Sequence, residues 1–224
     1  MKKILFLFSV ALLFQYSCTK KECKFDNPNY VFEIPSTFSP RKDTFNIGDT
    51  ITITSVFGNR VYDRSTQETY ALKNFEFNPE FKITKISAEE ADESALFLFQ
   101  VLFDSIYDLK YFYGTKSQIL TYYGQYLYKQ NTYSLELQII PKDTGLFFFQ
   151  HHSSINWNGA GNQDQEFEGK CDNKGLELYV KLNGEDDNNF SFLSNSPDEH
   201  INTWIVEKPY DRFYNLGGYV FYVK

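Results

Sequence analysis

Few residues in this chain are equipped for acid–base or metal chemistry. The histidines are His151, His152 and His200. The first two are adjacent, and neighbours on a strand point to opposite faces, so they cannot grip one metal without a bulge. Neither a His-Glu-x-x-His helix nor a paired-cysteine zinc spacing occurs, so no metal site is assigned and a structural or solvent-facing role is expected for the histidines. Ser153 and Ser154 follow the pair but form no Gly-x-Ser-x-Gly elbow. Gly159-Ala160-Gly161 meets Asp164 where a dinucleotide fingerprint needs its third glycine, so no cofactor is expected. The acidic runs Glu89-Glu90-Ala91-Asp92-Glu93 and Glu185-Asp186-Asp187 match no calcium loop and read as solvated turns. No catalytic residue is assigned.

Two features suit binding better. Eight of the 17 tyrosines fall within residues 107–133. If 119–128 is one strand, Tyr122, Tyr126 and Tyr128 share a face that could stack on sugar rings or a protein partner; the ordinary alternative is sheet or core support. The second is the Ser/Asn/Gly/Gln loop from Ser153 to Asp164, which holds Trp157 and has the composition of an antibody binding loop.

The cysteines are Cys18, Cys23 and Cys171. Ahead of the first, Lys2 and Lys3 precede an apolar run from Ile4 to Phe14, broken only by Ser9, and a polar exit Gln15-Tyr16-Ser17. That is the layout of an export signal. Eleven helical residues cover roughly 16 Å of a ~30 Å hydrocarbon core, too short for a permanent span. A cysteine at the cleavage point resembles a lipobox, with Gln15 and Tyr16 in the looser form familiar from Bacteroidetes lipoproteins. The resemblance implies lipid attachment at Cys18, membrane anchoring through that lipid, and an outer-membrane address facing periplasm or cell surface. The alternative is plain cleavage to a soluble secreted protein. Removing residues 1–17 takes two lysines and no acid, leaving 20 basic against 29 acidic residues, a net charge of −9. With a pI near 5.0 the chain would be repelled by a phosphate backbone, so no nucleic-acid partner is expected. If Cys18 is acylated, Cys23 and Cys171 remain for one disulfide in an oxidising compartment, the alternatives being free thiols or pairing with another chain.

The elements that must position these residues have mostly period two. Ile51 and Ile53 alternate with threonines, Phe75 and Phe77 with Asn74 and Glu76, Leu135 to Ile139 with Glu136 and Gln138, and Leu176 to Leu182 with Glu177, Tyr179 and Lys181. The last run, then Asn183-Gly184, then Phe190 and Phe192, predicts a hairpin. Ala95 to Phe103 is read as a strand. Ser196-Pro197-Asp198-Glu199 has capping-box spacing and predicts a short helix ending before Pro209, followed by a last strand Tyr219 to Val223. The pattern predicts a mainly β, antiparallel sandwich with one short C-terminal helix.

At Asn46-Ile47-Gly48-Asp49-Thr50-Ile51 and at Asp143-Thr144-Gly145-Leu146-Phe147 the chain resembles immunoglobulin-like domains, the first as the start of a B strand and the second as an F-strand corner. Phe147 stands where the corner tyrosine would be and Phe149 where the second core cysteine would be. The resemblance implies an immunoglobulin-like sandwich with insertions. The expected organisation is signal peptide 1–17, linker 18–29 and one elaborated domain 30–224, with a split near 87–95 as the alternative. As a whole the chain resembles small lipoproteins of Bacteroidetes with no known activity. It is expected to be a non-enzymatic envelope module that binds a glycan or an envelope protein, or has a structural role; the rival is an extracytoplasmic hydrolase.

Overall fold

The computed structural model describes residues 25–87, 95–103, 110–113, 120–155, 165–172, 174–184 and 186–224. The expected signal segment 1–17, Cys18, Cys23, most of the alternative split at 87–95, and Trp157 lie outside the described residues. In chain order the strands are β1 Asn29–Ser39, β2 Thr44–Phe45, β3 Ile51–Gly58, β4 Arg60–Asp63, β5 Glu68–Ala71, β6 Asn78–Ile86, β7 Phe99–Phe103, β8 Lys110–Tyr113, β9 Leu120–Tyr123, β10 Leu127–Lys129, β11 Thr132–Pro141, β12 Gly145–Ser154 and β13 Gly175–Leu182. The helix α1, Glu199–Trp204, and the strand β14, Gly218–Val223, close the chain.

The strands form two sheets. The first runs β10-β11-β3-β1-β4-β5, with β13 added along β1 and β7 along β11; the second runs β2-β14-β12-β6-β9-β8. Most pairings are antiparallel, as expected, but β13 lies parallel to β1 from Asn29↔Gly175 to Ser36↔Leu182, and β2 lies parallel to β14.

Alternation explains which side chains meet. Tyr133, Leu135, Leu137 and Ile139 of β11 turn inward while Glu136 between them is exposed. Phe38 of β1 crosses to the other sheet, stacking on Tyr219 at 4.0 Å and meeting Phe149 and Phe221 at 5.5 and 5.6 Å. Burying each such ring is worth about 2–3 kcal/mol. This core draws on residues from both sides of 87–95, from Tyr30 through Ile83 to Ala95 and Val223.

A second apolar layer covers the outer face of the second sheet. Leu146 and Phe148 of β12, with Ile86 and Val220, pack under Leu193, Ile201, Ile205 and Phe213. β12 is therefore buried on both faces, which accounts for the unbroken run Leu146-Phe147-Phe148-Phe149. Gly218 permits this layer: a Cβ there would come within 2.6 Å of the Phe213 ring.

Several local expectations are corrected. The hairpin after Asn183-Gly184 does not form: β13 pairs with β1, and Phe190–Asn195 is a 3-10 turn in the outer layer. Ala95–Leu98 is a 3-10 turn and only Phe99–Phe103 is strand. Phe75 and Phe77 are buried but precede β6 rather than forming a strand. The helix forms, ending at Trp204, with the Asp198 carboxylate accepting the Ile201 N–H at 3.2 Å. Beyond Pro209, Tyr210–Tyr214 makes a π-helical turn that was not anticipated.

Candidate functional site

The histidine pair separates as strand geometry requires. His152 faces outward, its Nδ1 3.4 Å from Glu80 Oε2, and His151 is wholly buried. His151 Nδ1 is 2.9 Å from Ser36 Oγ, whose hydroxyl donates to the Thr54 carbonyl. Nε2 lies 3.3 Å from the Tyr126 hydroxyl, which donates to Ser55 Oγ at 3.1 Å, and Ser55 donates to the Pro35 carbonyl. The arrangement is consistent with a neutral ring donating from Nδ1 to Ser36. Burial first, and the neighbouring His152 second, lower the His151 pKa to about 3. So weak a base cannot take a proton from Ser36 at neutral pH, and both groups are sealed in the core. The cluster is structural.

The tyrosines expected on one strand face are divided. β9 ends at Tyr123 and β10 starts at Leu127, so 119–128 is not one strand. Tyr122 and Tyr126 are buried, and burial raises the Tyr126 hydroxyl pKa well above its ordinary value. Tyr128 is half-buried, its ring 4.5 Å from Tyr133. The stacking face expected there is part of the core, because the inter-sheet space takes these rings. Cys171 is also buried; its N–H donates to the Tyr30 hydroxyl at 3.0 Å, and the Tyr30 ring lies 4.9 Å from Phe25. Cys18, Cys23 and Trp157 are outside the described residues.

A different place gathers polar and aromatic side chains. A concavity of about 350 Å³ is lined by Asn27, Val31, Arg64, Ser65, Tyr179, Tyr210, Asp211 and Asn215. Its walls are set by three devices. The buried Asp63 carboxylate accepts the N–H groups of Val31, Ser65 and Thr66 and the Thr66 hydroxyl, folding the turn that carries Arg64 and Ser65. The parallel β1–β13 register sets Tyr179 opposite Glu33. The π-helical turn is tied to β13 because the Asn215 carbonyl accepts the Val180 N–H at 3.1 Å, while Lys181 Nζ reaches Asn215 Oδ1 at 3.2 Å and Glu33 at 3.5 Å.

Chemically the concavity offers two rings, one guanidinium, one carboxylate and two amides. Burial, helped by Glu177 and Asp211, raises the Tyr179 pKa, so its hydroxyl stays protonated. The Ser65 hydroxyl oxygen is buried at the wall with no hydrogen-bond partner among the described residues. Buried hydroxyls are ordinarily satisfied, so this oxygen, like Ser154 Oγ on β12, is an exception among the described residues. Among the described residues no group of three or more histidines, cysteines or acids could hold a metal, and no helix is long and apolar enough to cross a membrane.

No family model matches the chain, and no curated protein matches it. Solved structures share a remote likeness. The second type II cohesin module of the adaptor ScaA scaffoldin of Acetivibrio cellulolyticus aligns with 10% identity and a TM-score of 0.28, over 66% of this chain and 86% of that one. An uncharacterized protein from Nocardia farcinica with an immunoglobulin-like fold gives 10% identity and a TM-score of 0.22, over 60% and 91%. The Actinomyces fimbrial adhesin FimA gives 14% identity and a TM-score of 0.22, over 64% and 54%. At these TM-scores the likeness carries no argument about partners or activity.

Proposed function

We propose that the chain is exported, lipidated at Cys18 and held at the outer membrane, and that its folded body is a binding module taking a glycan in the concavity around Tyr179 and Tyr210. The observation that carries the binding reading is the convergence of those two tyrosines with Arg64, Asn27, Asn215 and the unpartnered Ser65 hydroxyl. Rings stack on the apolar faces of sugars, and amides and charged groups take their hydroxyls. Among the described residues Asp211 is the one carboxylate on the wall, where a hydrolase of glycans would use two, so binding is favoured over hydrolysis.

The anchor sets where this site works. Lys174 Nζ donates to the carbonyls of Phe25 and Asn27, at 3.0 and 2.7 Å, so the chain is docked on the body from residue 25. Asn27 is nine residues from Cys18, a reach of at most roughly 32 Å, which keeps the concavity close to the bilayer. Cys23 lies two residues before Phe25, whose ring touches the tyrosine that meets Cys171, and this proximity supports a Cys23–Cys171 bridge. Trp157 remains a second ligand candidate in its polar loop.

The test of the address is the intact mass of the protein extracted from its native membrane. A diacyl or triacyl mass at Cys18 that disappears in Cys18→Ala supports it; an unmodified chain beginning near residue 18 refutes it. The test of the site is saturation-transfer NMR against a panel of soluble oligosaccharides, where Tyr210→Ala should weaken any binder about tenfold or more with unchanged melting. A panel with no binder at millimolar concentration removes the glycan.

A further inference from the structure

The outer face of the second sheet carries a polar row next along β12 from Phe148. Phe81 and Ile83 of β6 turn inward and are fully buried, so Glu80 and Lys82 face outward. β12 sets His152 against Glu80 and Gln150 against Lys82. β9 sets Tyr123 against Glu80, and β8 brings Lys110 into register with Tyr123. The Glu80 carboxylate has the His152 ring as its partner at 3.4 Å.

Lys82 is different. It is half-buried, and among the described residues no hydrogen bond or ion pair reaches its amine. Burial lowers its pKa. A partly desolvated ammonium that no described protein group pairs is stabilised by an anion placed on it. Lys82 is also flanked by an amide on the adjoining strand and, across Glu80, by the rings of Tyr123 and His152.

We propose that Lys82 anchors a second binding site, separate from the concavity, for a ligand bearing a single carboxylate. The limit to one negative charge follows from the strand: Glu80 is two residues away on the same face, about 7 Å, so a dianion neutralised by Lys82 would be repelled by Glu80. Gln150 supplies neutral hydrogen bonds to the body of the ligand. Carboxylates of this kind occur on sugar acids and at peptide C-termini, and the same test separates the two.

The experiment is lysine side-chain NMR on the whole folded protein, titrated with D-glucuronate, N-acetylalanine, D-glucose and sodium sulfate at constant ionic strength. The expected result is a saturable shift of the Lys82 signal with at least one carboxylate and a rise of about one in its pKa at saturation. The backbone amides of Gln150 and Tyr123 should move with it. Saturation at lower concentration by glucuronate assigns a sugar acid, and by N-acetylalanine a peptide terminus. Lys82→Gln should abolish the amide response and Lys82→Arg should keep it, which separates lost charge from lost folding. An equal response to glucose, a stronger one to sulfate, or no saturation below about 50 mM overturns the proposal.

Discussion

At the scale of single residues, the protein places its most titratable ring where it cannot titrate. The pKa of His151 is 6.5 in an open chain and about 3 in the fold. Between those values the unfolded chain binds a proton that the folded one refuses. The contribution is therefore fully present above pH 6.5 and is lost progressively as pH falls toward 3, by up to about 5 kcal/mol. Urea midpoints measured across that range should fall with pH, and His151→Gln should flatten that part of the profile; a profile unchanged by the substitution would refute the account. Tyr126→Phe removes the hydroxyl shared with Ser55 and faced by His151 Nε2, and should cost about 1–2 kcal/mol in the same assay. The separation of His151 from His152 was legible in the sequence because it needs only strand period. The burial of Tyr122 and Tyr126 was not, since period says which residues share a face and nothing about what covers it.

At the scale of elements, the helical segment between residues 190 and 214 lies as a cover over one sheet. Phe213 stacks on Phe148 at 5.6 Å and sits against Gly218. Phe213→Ala should cost about 3–5 kcal/mol and speed amide exchange throughout residues 190–214, while β3 and β11 stay protected. Uniform loss of protection would show instead that cover and sandwich unfold as one. Strands β3, β11 and β13 were readable because one face of each alternates. The cover was misread in part: Phe190 and Phe192 have strand spacing, yet they lie in a 3-10 turn whose rings pack down on β14 and the π-helical turn. The concavity left no sequence signal, because its residues come from positions 27 to 215 and meet only through the parallel β1–β13 register. The nearest hint was Tyr179, an aromatic on the outward side of an alternating strand.

At the scale of the whole molecule, the first described residues and the region of Cys171 are brought together by Phe25, Tyr30 and Lys174. If Cys23 and Cys171 are bridged, non-reducing peptide mapping should recover their two peptides joined. Cys23→Ser should then lower stability by about 2–4 kcal/mol without altering the sheets' exchange pattern; free thiols at both positions would remove the bridge. Outlying polar sites on such a body can fail independently, so Arg64→Ala should leave the melting temperature within about 2 °C while acting on ligand retention alone.

The parallel pairing of β1 with β13 also has a temporal side. If the chain is exported as proposed, β1 is the first strand of the body to leave a secretion channel, yet one of its edges is filled by residues 175–182. More than a hundred residues must follow before that edge is closed. During passage the edge is open to any extended peptide nearby, and pairings so distant in the chain form slowly. Until β13 arrives, a chain exported in this way should depend on holding chaperones, and a truncation ending before residue 175 should be captured by them or aggregate.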